Sequence, residues 1–517
     1  MNSSRLTGKR NRFAWHYSFA LIFSLIFMGF GHMRVSNASP QKQDGSLIQL
    51  KLYVAELMKR LPLTPGLAIA VVHGDKIIFL QGFGYRDIKA KLPVTPQTQF
   101  YIASTTKSFT ATAAKLLADE GKIDLDAPLK KYFPDLALKA PLSTEQISLR
   151  DLLTHRSGIS NEAINFRTAY TGQHDANVVL DLLSNYSKPI APEFRYSNIG
   201  YIIASYVMEK ATGETWQQVI ERKVLTPLGL KNTNSLASKA KASGDFALPY
   251  LAENGRFTEL SYKEDNTMHA AGGMTSSAED LAKWVIVNMN GGKLEGKQIF
   301  PASSLEEILS PQINQKRKFY KFERYAYSLG WNIGTYNNDK LIHCFGEFPG
   351  FRPHVSFMPE HNIGVVVLAN ESEESFALPD LIACDIYDYL IYRKPLRTDS
   401  NPKIEEYLAN LTKQREEKAK RARGRVETKE KEANPTLALK AYSGVYENPE
   451  WGKIVIALDA DALSFKFGNV SSSLLHLTGD VFEVTFMPGN TARLTFKVGA
   501  NSTITGLSVI GQAFTKT

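Results

Sequence analysis

Strand-forming segments lie at both ends of a long helical stretch, and this arrangement constrains the fold more than any other feature. An apolar hairpin pattern, LAIAVV followed by KIIFLQGFGY, begins after Gly66. Helical patterns occupy residues 104–222, and strand patterns return at residues 328–370. Because strands from both ends can bury their apolar faces only by pairing, the sequence predicts an α+β domain at residues 46–395. Its antiparallel sheet would be flanked by helices, and an all-helical subdomain would stand between the two sets of strands.

Two serines have the spacing of helix-capping boxes. Ser148 precedes Asp151 by three residues, and Ser276 precedes Glu279 by three residues. A serine followed by an acid at this spacing is typical of a helix start, because each side chain accepts the other residue's backbone N–H. The sequence therefore predicts helices that begin after Ser148 and after Ser276.

The chain changes character after residue 395. Residues 396–435 include QREEKAKRARGRVETKEKE, which has almost no large apolar residue. This composition predicts a charged linker, which is either solvated or a single exposed helix that Gly424 weakens. Residues 436–517 contain strand patterns at a spacing of roughly 8–12 residues and almost no helical periodicity. They predict a small all-β barrel or sandwich domain.

Most of the net charge lies in two short segments. The chain of 517 residues carries a formal charge of +9, and residues 1–38 and 413–431 contribute +5 each. The rest is therefore close to neutral, which excludes the broad basic face that nucleic-acid binding needs. Two cysteines are too few for a disulfide framework or a four-thiolate metal site, and no ligands stand at zinc spacing. No cofactor or metal is expected.

The N-terminus has the three parts of an export signal. Basic residues up to Arg12 precede the apolar run FALIFSLIFMGF at residues 19–30, and the small-residue sequence Ser-Asn-Ala ends at Ala38. The run of 12 residues is short for a membrane span, which needs about 20. The sequence predicts a signal peptide at residues 1–38 and a periplasmic or extracellular protein, with an uncleaved signal anchor as the alternative.

The tetrad Ser104-x-x-Lys107 is the first candidate for chemistry. It follows the extended stretch TQFYIA and opens the helical pattern TKSFTATAAKLLADE, so both side chains lie on one helix face about one turn apart. A helix N-terminus favours negative charge on the serine oxygen, and a desolvated lysine can activate a serine nucleophile. The same spacing occurs at Ser39 and Ser238. The tetrad alone more often marks a helix-capping serine with a solvated lysine, and only its context favours catalysis.

The triplet Tyr196-Ser197-Asn198 is the second candidate, in a loop before an apolar helix. A tyrosine beside a lysine can transfer protons, and Asn198 can donate a hydrogen bond to a substrate carbonyl. The same spacing recurs at Tyr336 and Tyr446, so this motif is also weak alone. A buried tyrosine beside a helix-capping residue is the structural alternative.

Together the two motifs resemble those of the penicillin-recognising serine hydrolases, a family of class C β-lactamases, D-alanyl-D-alanine carboxypeptidases, D-aminopeptidases and related esterases. The likeness covers roughly residues 61–390. It includes three further phrases: LRDLLTHRSGIS at 149–160, AAGGMTSSAEDLAKW at 270–284, and FPGF followed by MPEHNIGVVVLAN at 348–370. The resemblance implies a β-lactamase-like fold.

The resemblance also implies a role for each motif residue. Ser104 would be the acylated nucleophile, Lys107 its activating partner and Tyr196 the general base. Asn198 would hold the amide of the substrate. In this family backbone N–H groups form the oxyanion hole, and one of them belongs to the nucleophile. The residues after Leu437 resemble the small lipocalin-like domain that follows some of these peptidases.

The third motif departs from the family pattern, which places Lys or His, any residue and Gly on a strand that lines the active site. Counted back from Pro-Gly-Phe at 349–351, Gly346 takes the first glycine of the pattern and Glu347 the second. The histidine position then falls on Cys344, and His343 stands one residue early. Because side chains alternate along a strand, either a bulge returns His343 to the site or Cys344 stands there. Glu347 adds an acidic group that could repel a substrate carboxylate.

The second cysteine offers a test of this register. Cys384 lies in the helical pattern LPDLIACDIYDYLI at residues 378–391, which closes the first domain. In this fold that helix would pack on the sheet face opposite the active site. If Cys344 points backward, the two thiols could bridge in an oxidising compartment, which requires Cα atoms within about 7 Å. If Cys344 points forward, both thiols stay free, and the count from Pro-Gly-Phe favours this forward orientation.

The sequence therefore predicts an exported serine hydrolase that forms an acyl-enzyme and cleaves a peptide, amide or ester bond. The family implies a D-amino-acid-containing peptide or a β-lactam-like compound as the substrate class. Two alternatives stay open: an esterase of β-lactamase fold, and a degenerate penicillin-recognising binding or sensor protein. The expected partner is a small peptide, muropeptide or ester. Membrane contact through the basic linker or an uncleaved signal, and oligomerisation through the C-terminal domain, also stay open.

Overall fold

The central sheet takes its strands from both ends of the first domain, as the sequence predicts. The computed structural model describes residues 40–253, 256–427 and 433–517, so the predicted signal peptide lies outside the described residues. Within these ranges the sheet has nine strands, and all neighbouring pairs are antiparallel. In spatial order the strands are Ile313–Phe319, Phe322–Tyr327, Asn332–Tyr336, Asp339–Phe345, Arg352–Met358, Ile363–Ala369, Gly66–His73, Lys76–Asp87 and Leu92–Pro93.

The strand Gly66–His73 is buried on both faces because its side chains alternate between two cores. The front core lies on the face that carries Ser104, and the rear core lies on the opposite face. The side chains that point into the rear core are Leu67, Ile69 and Val71. Those that point into the front core are smaller on average: Ala68, Ala70 and Val72. Small side chains here leave room for the helix Ala278–Met289, which packs against this strand.

Helices on the front side carry the candidate nucleophile and form the predicted helical subdomain. Their bounds are Thr106–Asp119, Leu129–Tyr132, Leu149–Leu153, Glu162–Phe166, Ala176–Tyr186, Ile199–Thr212, Trp216–Ile220, Thr226–Leu228, Ala237–Ala242, Ala278–Met289 and Ala302–Ile308. Two π-helical turns, Arg167–Thr171 and Glu221–Leu225, extend helices of this subdomain. Four short antiparallel pairs complete the domain: Phe100–Tyr101 with Thr275–Ser276, Ile159–Ser160 with Lys188–Pro189, Tyr250–Glu253 with Arg256–Glu259, and Lys293–Leu294 with Lys297–Gln298.

One of the two predicted helix starts is confirmed, and the other is displaced by one residue. Ser148 and Asp151 form the capping box: the Asp151 N–H donates to Ser148 Oγ at 3.1 Å, and the Ser148 N–H donates to the Asp151 carboxylate at 2.9 Å. At the second start Ser277, not Ser276, accepts the N–H of Asp280, at 3.2 Å. The Ser276 hydroxyl is instead 2.8 Å from the Thr233 hydroxyl, because Ser276 is the last residue of a short strand.

The predicted linker at residues 396–435 is largely a helix, Pro402–Glu427, and its first half packs on the rear core. Ile404, Tyr407 and Leu411 are all less than 10% exposed. Their spacing of three and four residues makes one apolar stripe along the helix, ahead of the charged run. The average apolar content of residues 396–435 is low in spite of this stripe. Composition alone therefore indicated a solvated linker or an exposed helix and not a packed one. Gly424 lies inside this helix and does not end it.

A fully buried polar network joins the rear helix Leu378–Leu390 to the sheet. His354 Nδ1 lies 2.7 Å from the Asp380 carboxylate, and His354 Nε2 lies 2.7 Å from Ser356 Oγ. The Ser356 hydroxyl also contacts the Tyr387 hydroxyl at 2.8 Å. All four side chains are inaccessible to solvent. Their mutual hydrogen bonds offset the cost of burying polar groups in this layer.

Residues after the helix form a nearly closed antiparallel barrel, which confirms the predicted all-β domain. In the described part of this domain there are nine strands: Val470–Ser473, Ala462–Phe467, Gly452–Asp459, Gly444–Asn448, Gln512–Lys516, Ile504–Val509, Asn490–Val498, Val481–Met487 and Leu475–Thr478 in spatial order. Across the seam, the Thr485 N–H donates to Ser472 Oγ at 3.2 Å. The closer likeness to a lipocalin stays a prediction. No helix in the described ranges is long and apolar enough to cross a membrane.

The barrel packs on the helical subdomain instead of standing apart from it. Phe166 belongs to the barrel core, with its ring 5.5 Å from that of Trp451 and 5.3 Å from that of Phe467. Gly468 comes so close to this segment that an added Cβ would lie 2.0 Å from the carbonyl oxygen of Thr171. The barrel therefore lies against residues 166–171 of the helical subdomain.

Candidate active site

Ser104 lies on a tight turn that joins the strand Phe100–Tyr101 to the helix Thr106–Asp119. The preceding residue, Ala103, has φ of +44°, a left-handed conformation that L-residues rarely adopt. Backbone strain of this kind persists only where the surroundings enforce it, and it concentrates at functional sites. The turn leaves Ser104 half-buried, next to a helix N-terminus.

Lys107 is 1% exposed and makes its hydrogen bonds to neutral groups. Its Nζ lies 3.0 Å from Ser104 Oγ, 2.7 Å from Asn198 Oδ1 and 2.7 Å from the carbonyl oxygen of Ala271. Desolvation lowers the pKa of Lys107 well below its usual value, because a buried ammonium loses its hydration. The structure therefore brings together the serine, the lysine and the asparagine that the sequence predicts.

The Ala271 carbonyl reaches Lys107 because the AAGGM segment is tied to the same helix. The Met274 N–H donates to Thr106 Oγ1 at 3.1 Å, and Thr110 Oγ1 donates to the Ala270 carbonyl at 2.8 Å. Threonine is a common residue in many contexts, so these anchors carry no sequence signal of their own. They explain the position of the phrase beside the tetrad.

Tyr196 completes the group on the open side. Lys107 Nζ lies 4.8 Å from the centroid of the Tyr196 ring. Although the residue is 44% exposed, desolvation raises the pKa of Tyr196 to about 12, and the nearby Ser104 side chain opposes that rise. At neutral pH the phenol is therefore protonated.

His155 supports the tyrosine loop from behind. Its ring lies 4.4 Å from the ring of Tyr196, and its Nδ1 accepts the N–H of Ser197 at 3.2 Å. Burial, and next the charge of Lys107, lower the pKa of His155 well below its usual value. The ring is thus neutral, and the hydrogen bond at Nδ1 assigns the proton to Nε2.

The strand Asp339–Phe345 is regular and directs Cys344, not His343, to the front face. Its pairing with Arg352–Met358 continues through both residues without a bulge, and its pairing with Asn332–Tyr336 is regular up to His343. Cys344 belongs to the front core and lies beside Ser108 and Thr105 of the nucleophile segment. Burial raises the pKa of the Cys344 thiol to about 12, so the group stays a neutral thiol.

His343 lies on the rear face and takes no part in the site. Arg324 Nε donates to its Nε2 at 3.3 Å, and its ring stacks on that of Phe345 at 4.2 Å. Cys384 belongs to the rear core, and both cysteines are free. Of the two alternatives for the third motif, the structure supports the forward cysteine and removes His343 from the predicted binding residues.

Gly346 lies directly against the nucleophile turn. A Cβ placed on it would be 2.5 Å from the Ile102 carbonyl oxygen and 3.0 Å from the Ala103 Cβ. Its carbonyl oxygen accepts a hydrogen bond of 2.7 Å from the buried Arg352, which also pairs with Asp380 at 3.0 Å. The end of this strand is thus fixed between the turn on the front side and the polar network on the rear side.

Glu347, the next residue, is exposed at the end of the strand. Neighbouring side chains partly desolvate its carboxyl group and raise its pKa, and the charge of Arg352 opposes that rise. Its charge also contributes to the raised pKa of Tyr170, after burial of that ring, so Glu347 and Tyr170 lie within electrostatic range of each other.

A family model described as Beta-lactamase matches residues 54–383, which is more than half of the chain. The chain belongs to the β-lactamase family of serine hydrolases. A second model, described as Domain of unknown function (DUF3471), matches residues 428–515 and thus the barrel. Two curated relatives of this β-lactamase-family chain are each 27% identical to it. Unguisins hydrolase ungD' of Aspergillus campestris aligns over 77% of this chain and 75% of its own, and Protein flp of Staphylococcus aureus over 66% and 65%.

Solved structures show the same fold. The octameric penicillin-binding protein homologue from Pyrococcus abyssi has a TM-score of 0.56 at 24% identity, covering 90% of this chain and 99% of the other. D-amino acid amidase from Ochrobactrum anthropi SV3 has a TM-score of 0.56 at 21% identity, covering 71% and 99%. The first of these alignments extends beyond the catalytic domain, since the family match ends at residue 383.

Sequence reasoning missed two residues beside the site of this β-lactamase-family chain. Lys263 is a second buried lysine, 7% exposed, whose Nζ lies 4.4 Å from the centroid of the Phe348 ring. Arg352 was overlooked as the residue that fixes Gly346. Neither has a local motif, because Lys263 lies in an irregular segment and Arg352 at the start of a strand. Only the folded chain brings them to the site.

Proposed function

We propose that this chain is an exported serine hydrolase that forms an acyl-enzyme on Ser104 and hydrolyses a peptide, amide or ester bond. The observation that carries the proposal is Lys107 Nζ, buried and 3.0 Å from Ser104 Oγ, with neutral groups as its other partners. A lysine in this state is a base for the serine proton. Family membership supports hydrolysis, and the geometry supports Ser104 as the nucleophile.

The hydrogen bonds around Lys107 assign its protons. A neutral amine has two N–H groups and one lone pair, and the carbonyl oxygens of Asn198 and Ala271 accept the two N–H groups. The lone pair then points to Ser104 Oγ. As Oγ attacks the substrate carbonyl, the new C–O bond forms and the hydroxyl proton passes to Lys107 Nζ. The ammonium that results faces the Tyr196 ring at 4.8 Å, which stabilises its charge.

The pKa directions assign Tyr196 a different part from the general base that the family resemblance implies. A phenol with its pKa raised to about 12 holds its proton at neutral pH and is a donor, not a base. We assign it the protonation of the leaving nitrogen or oxygen, which leaves a Tyr196 phenolate. The Lys107 ammonium, beside the Tyr196 ring, then returns its proton to that phenolate, so both groups are restored while Ser104 Oγ is acylated. Water then attacks the acyl-enzyme, Lys107 accepts a proton from that water, and Ser104 Oγ leaves with a proton from Lys107.

The substrate we propose is a small D-amino-acid-containing peptide or amide. D-amino acid amidase shares the fold, and a curated relative is named a hydrolase of unguisins. An ester is the second candidate, because acyl-enzyme chemistry is common to both bonds. Export rests on the N-terminal 38 residues. Self-association is part of the proposal because a related structure is octameric, and light scattering would show it as a mass above the 57.6 kDa of one chain.

Labelling with a fluorophosphonate tests the proposal on the full chain. We expect one labelled serine, mapped to Ser104 by peptide mass spectrometry, and hydrolysis of D-alanyl anilide or p-nitrophenyl ester substrates. Ser104→Ala should abolish both, with a loss of several decades in rate. Ser108→Ala, one helical turn further along the same helix, is the matched control. A chain that is neither labelled nor active, yet binds muropeptides, would support the alternative of a sensor protein.

A further inference from the structure

A recess at the junction of the two domains adjoins the nucleophile turn and contains the buried ammonium of Lys263. The catalytic domain contributes Tyr170, Lys263 and Phe348 to its walls, and the barrel contributes Asn469 and Ser471. The Phe348 ring lies 4.9 Å from that of Tyr101, three residues before Ser104, and 5.6 Å from that of Tyr170. The recess is therefore separated from Ser104 by one layer of side chains.

Lys263 is held without a counter-ion. Its Nζ donates to the carbonyl oxygens of Ala169 and Thr267, the latter at 3.1 Å. Three aromatic rings surround the ammonium at 4.4–5.8 Å: Phe348, Tyr101 and Tyr170. Among the described residues no carboxylate lies within ion-pair distance of Nζ. Of the carboxylates nearby, Glu264 pairs with Lys241 at 3.2 Å, and Glu347 stands within electrostatic range of Tyr170.

A buried ammonium of this kind is costly for the folded chain. Burial lowers the pKa of Lys263 well below its usual value, and no compensating charge opposes the effect. Without a partner charge the Lys263 amine therefore favours its neutral form, as the Lys107 amine does. When it is protonated it has three N–H donors, and the two carbonyl oxygens accept two of them. An anionic group brought into the recess would accept the third and supply the missing charge.

His269 and Gly272 lie between the recess and the nucleophile turn. His269 is within electrostatic range of both Lys107 and Lys263, since the charges of both contribute to its lowered pKa. A Cβ placed on Gly272 would be 3.6 Å from His269 Cε1 and 3.5 Å from the Ala103 carbonyl carbon. His269 thus connects the wall of the recess with the nucleophile turn.

We propose that this recess is a subsite for the terminal carboxylate of a peptide substrate, with Lys263 as the counter-ion and the barrel as its outer wall. The proposal rests on the hydrolase proposed above and adds the end of the substrate that the enzyme recognises. It also gives the barrel a part in specificity, since Asn469 and Ser471 limit how far a peptide can extend. In this proposal Lys263 supplies the positive charge for the substrate carboxylate, because Cys344 on the third-motif strand has none.

The test compares two ligands that differ only in charge, N-acetyl-D-alanyl-D-alanine and its C-terminal carboxamide. Their affinities are measured by calorimetry on the full-length Ser104→Ala chain, which does not turn them over. We expect the acid to bind at least tenfold more tightly than the amide. Lys263→Met should remove this preference, whereas Lys241→Met, which removes a half-buried lysine outside the recess lining, should retain it. Ser471→Trp fills the recess from the barrel and should weaken binding of the acid.

Two outcomes would overturn the proposal: an acid that binds no more tightly than the amide, including no binding of either, or a preference that survives Lys263→Met. The comparison of acid and amide on the parent chain needs no folded Lys263 variant. Labelling of the wild-type chain by a fluorophosphonate reports separately on Ser104. A labelled enzyme with no carboxylate preference therefore refutes the subsite alone, and an unlabelled chain that prefers the acid refutes only the hydrolase.

Discussion

The contact between Gly346 and the nucleophile turn makes a quantitative prediction for Gly346→Ala. The added Cβ would lie 2.5 Å from the Ile102 carbonyl oxygen, and ordinary contact begins at 3.4 Å. The strand end and the turn must therefore separate by about 0.9 Å if the neighbours move as rigid groups. Misplacement of reacting groups by about 1 Å costs roughly 100-fold in rate. We expect kcat to fall by about two decades, equivalent to about 2.7 kcal/mol in the activation free energy.

Gly272→Ala is the matched control for this experiment. Gly272 approaches the same turn from the AAGGM segment, but its Cβ would meet the Ala103 carbonyl carbon at 3.5 Å, an ordinary contact. Both variants are assayed for kcat and KM with an ester substrate, after titration of active serines with a fluorophosphonate to count folded sites. Gly272→Ala should stay within about threefold of the parent chain. Equal losses in the two variants, or a Gly346→Ala enzyme with normal kcat, would refute the steric argument.

Three further predictions concern the base, the thiols and the connecting helix. Catalysis needs Lys107 in its neutral form, and burial lowers the pKa of this residue. We therefore expect kcat/KM to fall as the pH decreases through a pKa well below 10.5. A fall of kcat/KM centred at the ordinary pKa of a lysine would contradict the assignment. Thiol titration of the unreduced, denatured chain should count two thiols, Cys344 and Cys384, and a single disulfide would reverse the strand orientation. A chain ending at Tyr392 should have an unfolding free energy about 5–9 kcal/mol lower than a chain ending at Glu427, because it lacks the buried side chains of Ile404, Tyr407 and Leu411. Equal melting temperatures of the two chains would show that the helix contributes nothing to stability.

Much of the fold could be predicted because its signals are local or periodic. The hairpin after Gly66 and the strands at 328–370 have apolar patterns that only pairing can bury, so the sheet assembled from both ends followed directly. A helix was one of the two alternatives for residues 402–427, but its packing on the rear core was missed for the opposite reason. Its three buried residues stand before a charged run, and their burial depends on the rear face of a sheet formed by distant segments. The displaced cap at Ser277 is a difference of one residue, since two adjacent serines each precede an acid by three.

The residues of the candidate site also differ in whether a sequence motif predicts them. Ser104, Lys107, Tyr196 and Asn198 come from motifs, and the structure brings all four together. The orientation of Cys344 could be argued only by counting from a family pattern, because a sequence does not reveal whether a strand carries a bulge. Lys263 had no signal at all, since a lysine is normally solvated. It becomes notable only when the barrel and three aromatic rings enclose it.

The buried network of Asp380, His354 and Ser356 has a consequence for how serine hydrolases are recognised. Its two hydrogen bonds of 2.7 Å connect an acid, an imidazole and a hydroxyl in the order of a charge-stabilised triad. A spatial template that scores distances alone would accept this network, select Ser356 as the nucleophile and assign a different catalytic class. No acyl donor can reach a hydroxyl that is wholly enclosed. Recognition of a nucleophile by shape therefore has to include a path for the substrate, and in this chain that criterion separates a decoy constellation from Ser104.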